Sequence, residues 1–262
     1  MSPIELSNLG DSTAINLFIS KRADFSVAKP YSHWLSADET SKMNRFIFEK
    51  DSQQYLVSRC LVRWALSLYT GLLPKDLQFK NNDHGKPYLI SDNTLSFNLS
   101  HSNEWAVVAI AKERELGVDI ERVDQRHLQK NNSLSSIAKR FFHASEYRHL
   151  QTLSGQQKIN YFSQLWTLKE AYLKAKGIGL YQDPSTFTFA QRGEVILPAE
   201  KDVNDACDNW HCFSFDNISD YILSLAISTT ADINEKKTAI NAYRVVPGKG
   251  IINEIPLSSL YL

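Results

Sequence analysis

With 262 residues, the chain is long enough for one large domain or two small ones, either of which can bury a core. Lys plus Arg and Asp plus Glu balance at 29 each, so net charge offers nothing to draw a nucleic acid or a membrane surface, and neither is expected as a partner. No apolar run reaches membrane-spanning length and no basic segment followed by an apolar one opens the chain, so a cytoplasmic protein is expected, with Cys60, Cys207 and Cys212 as reduced thiols and no zinc site at Cys207, His211 and Cys212.

In chain order, Ala14-Ile-Asn-Leu-Phe-Ile19 reads as a first strand. From Ser36 to Gly71 the chain reads as helical, opened by the capping box Ser36-Ala-Asp-Glu39, with Phe46 and Phe48 inside it and a second helix from about Ser52. Arg59 and Arg63 lie one turn apart on that helix, as a solvated basic edge or as anion ligands. Asn81-Asn-Asp-His-Gly-Lys-Pro87 is a loop of turn formers. Leu95, Phe97 and Leu99 alternate with polar residues as a half-buried strand that exits at Ser100-His101-Ser102. Trp105 to Ile110 forms another strand, and the charged turn Lys112-Glu-Arg-Glu115 predicts a hairpin into Leu116–Glu121.

Residues 122–135 are polar and predicted as a loop. Ile137 to Leu150 is helical in part, with Phe141-Phe142 as core or interface. After Gly179, short apolar alternations predict strands at Thr186–Phe189, Glu194–Leu197, Trp210–Phe215, Tyr221–Ser228 and Ala239–Val246.

Two stretches carry chemistry. In Tyr161–Gly177, at roughly 100° per residue, Tyr161, Leu165, Leu168, Tyr172 and Ala175 share a stripe predicted to be buried, while Ser163, Thr167, Glu170 and Lys174 lie opposite. Gly177-Ile-Gly179 predicts a left-handed cap. Taken alone, Glu170 and Lys174 read first as an ordinary solvated pair one turn apart. In Leu116-Gly-Val-Asp-Ile-Glu121, period two places Asp119 and Glu121 on one face, roughly 6.5–7 Å apart along the strand. Two such carboxylates suit a single cation such as magnesium, with Glu170 as a third ligand, or simply belong to a charged edge strand.

Gly117-Val-Asp-Ile-Glu121, followed about 45 residues later by Trp166-Thr-Leu-Lys-Glu170-Ala-Tyr-Leu-Lys174, resembles the Sfp-type 4′-phosphopantetheinyl transferases. Gly85-Lys-Pro-Tyr88, Phe97-Asn-Leu-Ser-His-Ser102 and Lys139-Arg-Phe-Phe-His-Ala-Ser-Glu-Tyr147 match in the same order. The resemblance implies an α+β fold of two similar subdomains related by a pseudo-twofold, each a small antiparallel sheet with packed helices, here 1–115 and 116–262. It implies coenzyme A as substrate, with its pyrophosphate on a magnesium held by Asp119, Glu121 and Glu170. A serine of an apo acyl, peptidyl or aryl carrier protein then attacks the β-phosphate and 3′,5′-ADP leaves. Lys174 would neutralise the leaving group and Glu170 would take the serine proton. His101, with Ser100 near it, matches the family's contact to the 3′-phosphate, Lys86 falls near the phosphates, and Lys42, Arg45 and Arg59 lie where the family supplies cations. The family often has arginine where this chain has Gln53 or Gln54, a departure that shifts the 3′-phosphate grip toward Lys42 or Arg45. Trp166 is expected as a wall of the cleft, the surface near Phe141 as part of the carrier dock, and the protein as a monomer. The alternatives are a magnesium-dependent pyrophosphate hydrolase acting on nucleotides or coenzyme A, and a non-catalytic coenzyme- or carrier-binding relative.

Overall fold

Strand β1 (Ile15–Lys21) is buried along six of its seven residues, which requires cover on both faces and a place inside a sheet. In the computed structural model, which describes residues 14–123, 131–179, 182–192, 195–199, 209–229 and 238–262, it has a neighbour on each edge. One is β5 (Trp105–Lys112), antiparallel; the other is β11 (Ile240–Val246), parallel. With β4 (Leu95–Ser102) and β12 (Gly250–Glu254) at the ends, the order is β12-β11-β1-β5-β4. This sheet is therefore mixed rather than purely antiparallel, because β11 enters alongside β1. The described residues divide into two compact units, 14–82, 87–114 and 238–256 in the first and 83–86, those from 115 to 229 and 257–262 in the second, so 238–256 cluster with the first unit rather than with the 116–262 half.

The first unit's helices are α1 (Phe25–Ala28), α2 (Ala37–Met43) and α3 (Glu49–Thr70). The capping box forms: the Glu39 amide donates to Ser36 Oγ at 3.2 Å and the Ser36 amide to Glu39 Oε2 at 2.9 Å. Helix α2 stops at Met43, so Phe46 and Phe48 lie between helices and are exposed. Leu61, Val62, Ala65 and Leu66 of α3 pack against Phe18 and Val108. Gly71, at φ 68°, ends α3 in the left-handed conformation glycine adopts without a Cβ clash. Two short strands, β2 (Phe79–Asn81) and β3 (Pro87–Leu89), pair antiparallel.

The second unit's sheet is antiparallel, in the order β6-β10-β9-β8-β7. Its strands are β6 (Leu116–Arg122), β7 (Thr188–Arg192), β8 (Val195–Ala199), β9 (Trp210–Ile218) and β10 (Tyr221–Ser228). The expected hairpin through Lys112–Glu115 does not form. Both edges of β5 are taken by β1 and β4, so β6 pairs with β10 instead. Helices α4 (Asn131–Phe141), α5 (Ala144–Thr152) and α6 (Gly155–Lys176) complete the unit. Of the loop expected at 122–135, residues 124–130 lie outside the described residues, and from Asn131 the chain is helical. Cys207 also lies outside them, while Cys60 and Cys212 are buried thiols. Among the described residues, no helix is long and apolar enough to cross a membrane.

Helix α6 is covered on both sides. Leu165, Leu168, Tyr172 and Ala175 join a core with Phe142, Leu150 and Phe187. The opposite stripe is covered too, Ser163 at 7 % and Thr167 at 0 % exposure with Glu170 and Lys174 half-buried, because α6 also lies on β6 and β10.

Candidate active site

The contact of α6 with β6 depends on a missing side chain. A Cβ on Gly117 would stand 2.2 Å from both the Ala171 carbonyl oxygen and the Ala175 amide nitrogen. Strand backbone thus rests directly on helix backbone. Because side chains alternate along a strand, Asp119 and Glu121 share the face of Gly117 and point to the α6 side. Lys174 Nζ donates to Asp119 Oδ1 at 2.6 Å, with the Asp119 side chain 4 % exposed and that of Lys174 30 %. Glu170 lies one turn before Lys174. Burial, first, and then the neighbouring Asp119 charge push its carboxyl above its ordinary value, while Lys174 pulls the other way. Glu121 is half-buried, opposite Ile222 across the ladder, and Asp119 is opposite Ser224.

Beneath these groups, hydroxyls join the helix to the sheet. Thr167 Oγ1 and Ser224 Oγ are 2.8 Å apart, and Ser224 donates onward to Ser214 at 3.3 Å. The Gln164 carbonyl, 3.0 Å from Thr167 Oγ1, is an alternative acceptor for the one hydrogen of that hydroxyl. The buried Thr167 hydroxyl thus meets its own helix at Gln164 and the sheet at Ser224 of β10, with Ser214 of β9 beyond it.

Among the described residues, no group of three or more His, Cys, Asp or Glu is arranged to hold a metal ion. Asp119 and Glu170 feel each other's charge, while the ammonium of Lys174 is the cation beside Asp119.

Lys86 lies in the same unit. Its Nζ donates to Glu115 Oε2 at 2.7 Å, the Ala175 carbonyl at 2.8 Å and the Leu116 carbonyl at 3.2 Å. Lys169, next to Glu170 in sequence, points into the core. It pairs with Glu146 at 2.9 Å and donates to the carbonyls of Pro184 at 2.9 Å and Phe187 at 2.7 Å. Burial lowers its ammonium below the usual lysine range, against the pull of Glu146. Trp166 packs edge-on to Phe141 at 5.7 Å and is stacked on Phe162 at 6.2 Å. These rings form an aromatic cluster around it. Phe142 is buried core and Phe141 half-buried.

In the first unit, Lys42 and Arg45 are exposed, Lys42 over the Tyr55 ring at 5.6 Å and Arg45 donating to Ser41 at 3.0 Å. Arg59 is engaged by the fold. Its Nε donates to Glu39 Oε1 at 2.6 Å, while Arg63 Nε donates to Oε2 at 2.8 Å and Arg63 Nη1 to the Pro74 carbonyl at 2.8 Å. Sequence reading missed Glu39 as their partner, although its capping role already marked it as an ordered carboxylate. Gln53 donates to Glu49 at 2.9 Å, and Gln54 is buried against Ser58. Ser100 is buried within β4 and His101 is exposed near its end.

Residues 115–226 match the profile of the 4'-phosphopantetheinyl transferase superfamily, and residues 20–113 match that of the 4'-phosphopantetheinyl transferase N-terminal region. The chain is 39 % identical over 149 residues to the 4'-phosphopantetheinyl transferase HetI of Nostoc sp., covering 56 % of this chain and 61 % of that protein. It therefore spans about three fifths of that relative's length. It is 30 % identical over 169 residues to Sfp of Bacillus subtilis, covering 64 % and 72 % of the two chains. To psf-1 of Bacillus pumilus it is 31 % identical over 196 residues, covering 74 % and 76 %. The first profile spans β6 and α6, which carry Gly117, Asp119, Glu170 and Lys174. On this likeness in both units, the chain belongs to the 4'-phosphopantetheinyl transferase family.

Proposed function

We propose that this protein transfers the 4′-phosphopantetheine group of coenzyme A to a serine hydroxyl of an apo acyl, peptidyl or aryl carrier protein, releasing 3′,5′-ADP. The observation that carries the reading is the group formed by Asp119, Lys174 and Glu170, on a strand and a helix whose backbones touch at Gly117. The relatives' shared name supports it.

Magnesium fits this donor set. It favours a few carboxylate oxygens completed by substrate phosphates, and the adverse effect of Asp119 on Glu170 is one that a divalent cation relieves. Asp119, Glu121 and Glu170 would hold it, and it would supply neutralising charge to the pyrophosphate. The serine oxygen forms a bond to the β-phosphorus as the bond from that phosphorus to the bridging oxygen breaks. Glu170 accepts the serine proton, directly or through a water; a carboxylate that also holds the cation has its proton affinity lowered, which favours the route through a water. Lys174 balances charge developing on the departing 3′,5′-ADP. Lys42, Arg45 and His101, all exposed, are the proposed partners of the 3′-phosphate, with Ser100 beside His101 in the strand. Arg59 is the weakest candidate for that role, since Glu39 already pairs with it.

The test is direct. Protein, coenzyme A, magnesium and an apo carrier should yield a carrier heavier by about 340 Da on its serine, the mass of the added group. A panel of acyl, peptidyl and aryl carriers with no adduct on any member would refute the reading. Coenzyme cleavage without carrier modification would identify a hydrolase.

A further inference from the structure

We propose that Lys86 is a positioning residue, holding the strand that carries Asp119 in register with the helix that carries Glu170 and Lys174, rather than a ligand of coenzyme phosphate. An ammonium has three hydrogens, and Lys86 has three acceptors inside its own unit at 2.7, 2.8 and 3.2 Å. Those acceptors belong to two elements. Glu115 leads into β6 and Leu116 begins it, immediately before Gly117. Ala175 lies in the last turn of α6, immediately after Lys174. Carbonyls in a last turn have no intrahelical donor and form the negative end of the helix dipole. The Gly177 amide takes those of Leu173 and Lys174, and Lys86 takes that of Ala175.

The clamp therefore closes over the place where a Cβ on Gly117 would strike Ala175. On the helix it holds the residue next to Lys174, and on the strand the residue next to Gly117, three before Asp119. The Lys86 side chain is 14 % exposed, and two of the three bonds of its ammonium are partly buried. Sliding β6 along α6 would break either the bond to Ala175 or those to Glu115 and Leu116, together with the 2.6 Å contact of Asp119 with Lys174.

The kinetic part of the test rests on the transferase reading, and the exchange part does not. In the full chain, Lys86→Met should lower kcat for carrier modification roughly 10- to 100-fold, the scale of a small misplacement of reacting groups. It should leave KM for coenzyme A and the calorimetric Kd of 3′,5′-ADP within about twofold, because ground-state binding is untouched. Hydrogen exchange of the last turn of α6 should quicken, and Lys86→Arg should recover most of the rate. Glu115→Gln, a change at an exposed residue, should give a weaker form of the same pattern if Lys86→Met does not fold. Loss of 3′,5′-ADP binding by tenfold or more with kcat preserved would make Lys86 a phosphate ligand and overturn the proposal. Unchanged exchange in a folded Lys86→Met protein would overturn it too. A wild-type protein that modifies no carrier would sink the transferase reading, leaving the clamp to stand or fall on exchange alone.

Discussion

Gly117 and Ala171 approach so closely that one methyl group would not fit between them: a Cβ at position 117 falls 2.2 Å from the Ala171 carbonyl oxygen. Both neighbours of that absent carbon, the Ala171 oxygen and the Ala175 nitrogen, are main-chain atoms of one helix. Neither can move aside as a flexible side chain would. Gly117→Ala should therefore cost about 3 kcal/mol, the upper range for overpacking a core. In a chain of this size that corresponds to a fall in Tm of roughly 6–12 °C. Differential scanning calorimetry checks it, and an unchanged Tm would show that helix and strand are not in backbone contact.

The carboxylates beside that contact should be needed for transfer. Asp119→Ala and Glu170→Gln should each reduce carrier modification roughly a thousandfold or more, the loss expected when a group acting on charge in the transition state is removed. Chelation of divalent ions should stop the wild-type reaction and added magnesium should restore it, read by intact-mass analysis of the carrier. Wild-type turnover in Asp119→Ala would remove this residue from the chemistry.

Acid should loosen the first unit through Glu39. Burial raises its carboxyl, but Arg59 foremost, the Ser36 amide and Arg63 outweigh that and hold it below its ordinary value. A carboxyl whose folded pKa is depressed contributes stability that is present above the unfolded value, about pH 4.3, and lost as pH falls through the folded one. Denaturant titrations across this range should show a steeper loss of stability for the wild type than for Glu39→Gln. At neutral pH that variant should be less stable by about 3–5 kcal/mol, since it leaves the buried Arg63 without its counter-charge. Parallel pH curves for the two proteins would refute the assignment.

Lys169 and Glu146 should behave as one unit. Removing either, as in Lys169→Met or Glu146→Gln, strands the other charge in the core and should cost about 3–5 kcal/mol. The double variant should cost less than the sum by roughly 1–3 kcal/mol, because the second change no longer strands a partner. Strict additivity in a denaturation cycle would show that the pair does not interact.

Sequence periodicity and capping chemistry sufficed for much of this architecture. Ser36 and Glu39 closed their capping box as their spacing predicts. Gly177 ended α6 at φ 64°, and the alternation of Leu116–Glu121 formed a strand with Asp119 and Glu121 on one face. Such features are local: three or four residues determine them, whatever lies alongside. Their partners were not local. Lys86, Lys169 and Lys174 are chemically identical, yet one clamps carbonyls, one is buried on Glu146 and one reaches Asp119. Arg59 turned inward because Glu39, 20 residues earlier, was brought beside it. A long cationic side chain can reach several possible partners, and nothing in its own sequence neighbourhood ranks them. The placement of β11 against β1 and the burial of Thr167 were likewise decided when distant elements packed together. Sequence thus settled which face each group occupies, and tertiary structure settled what that face meets.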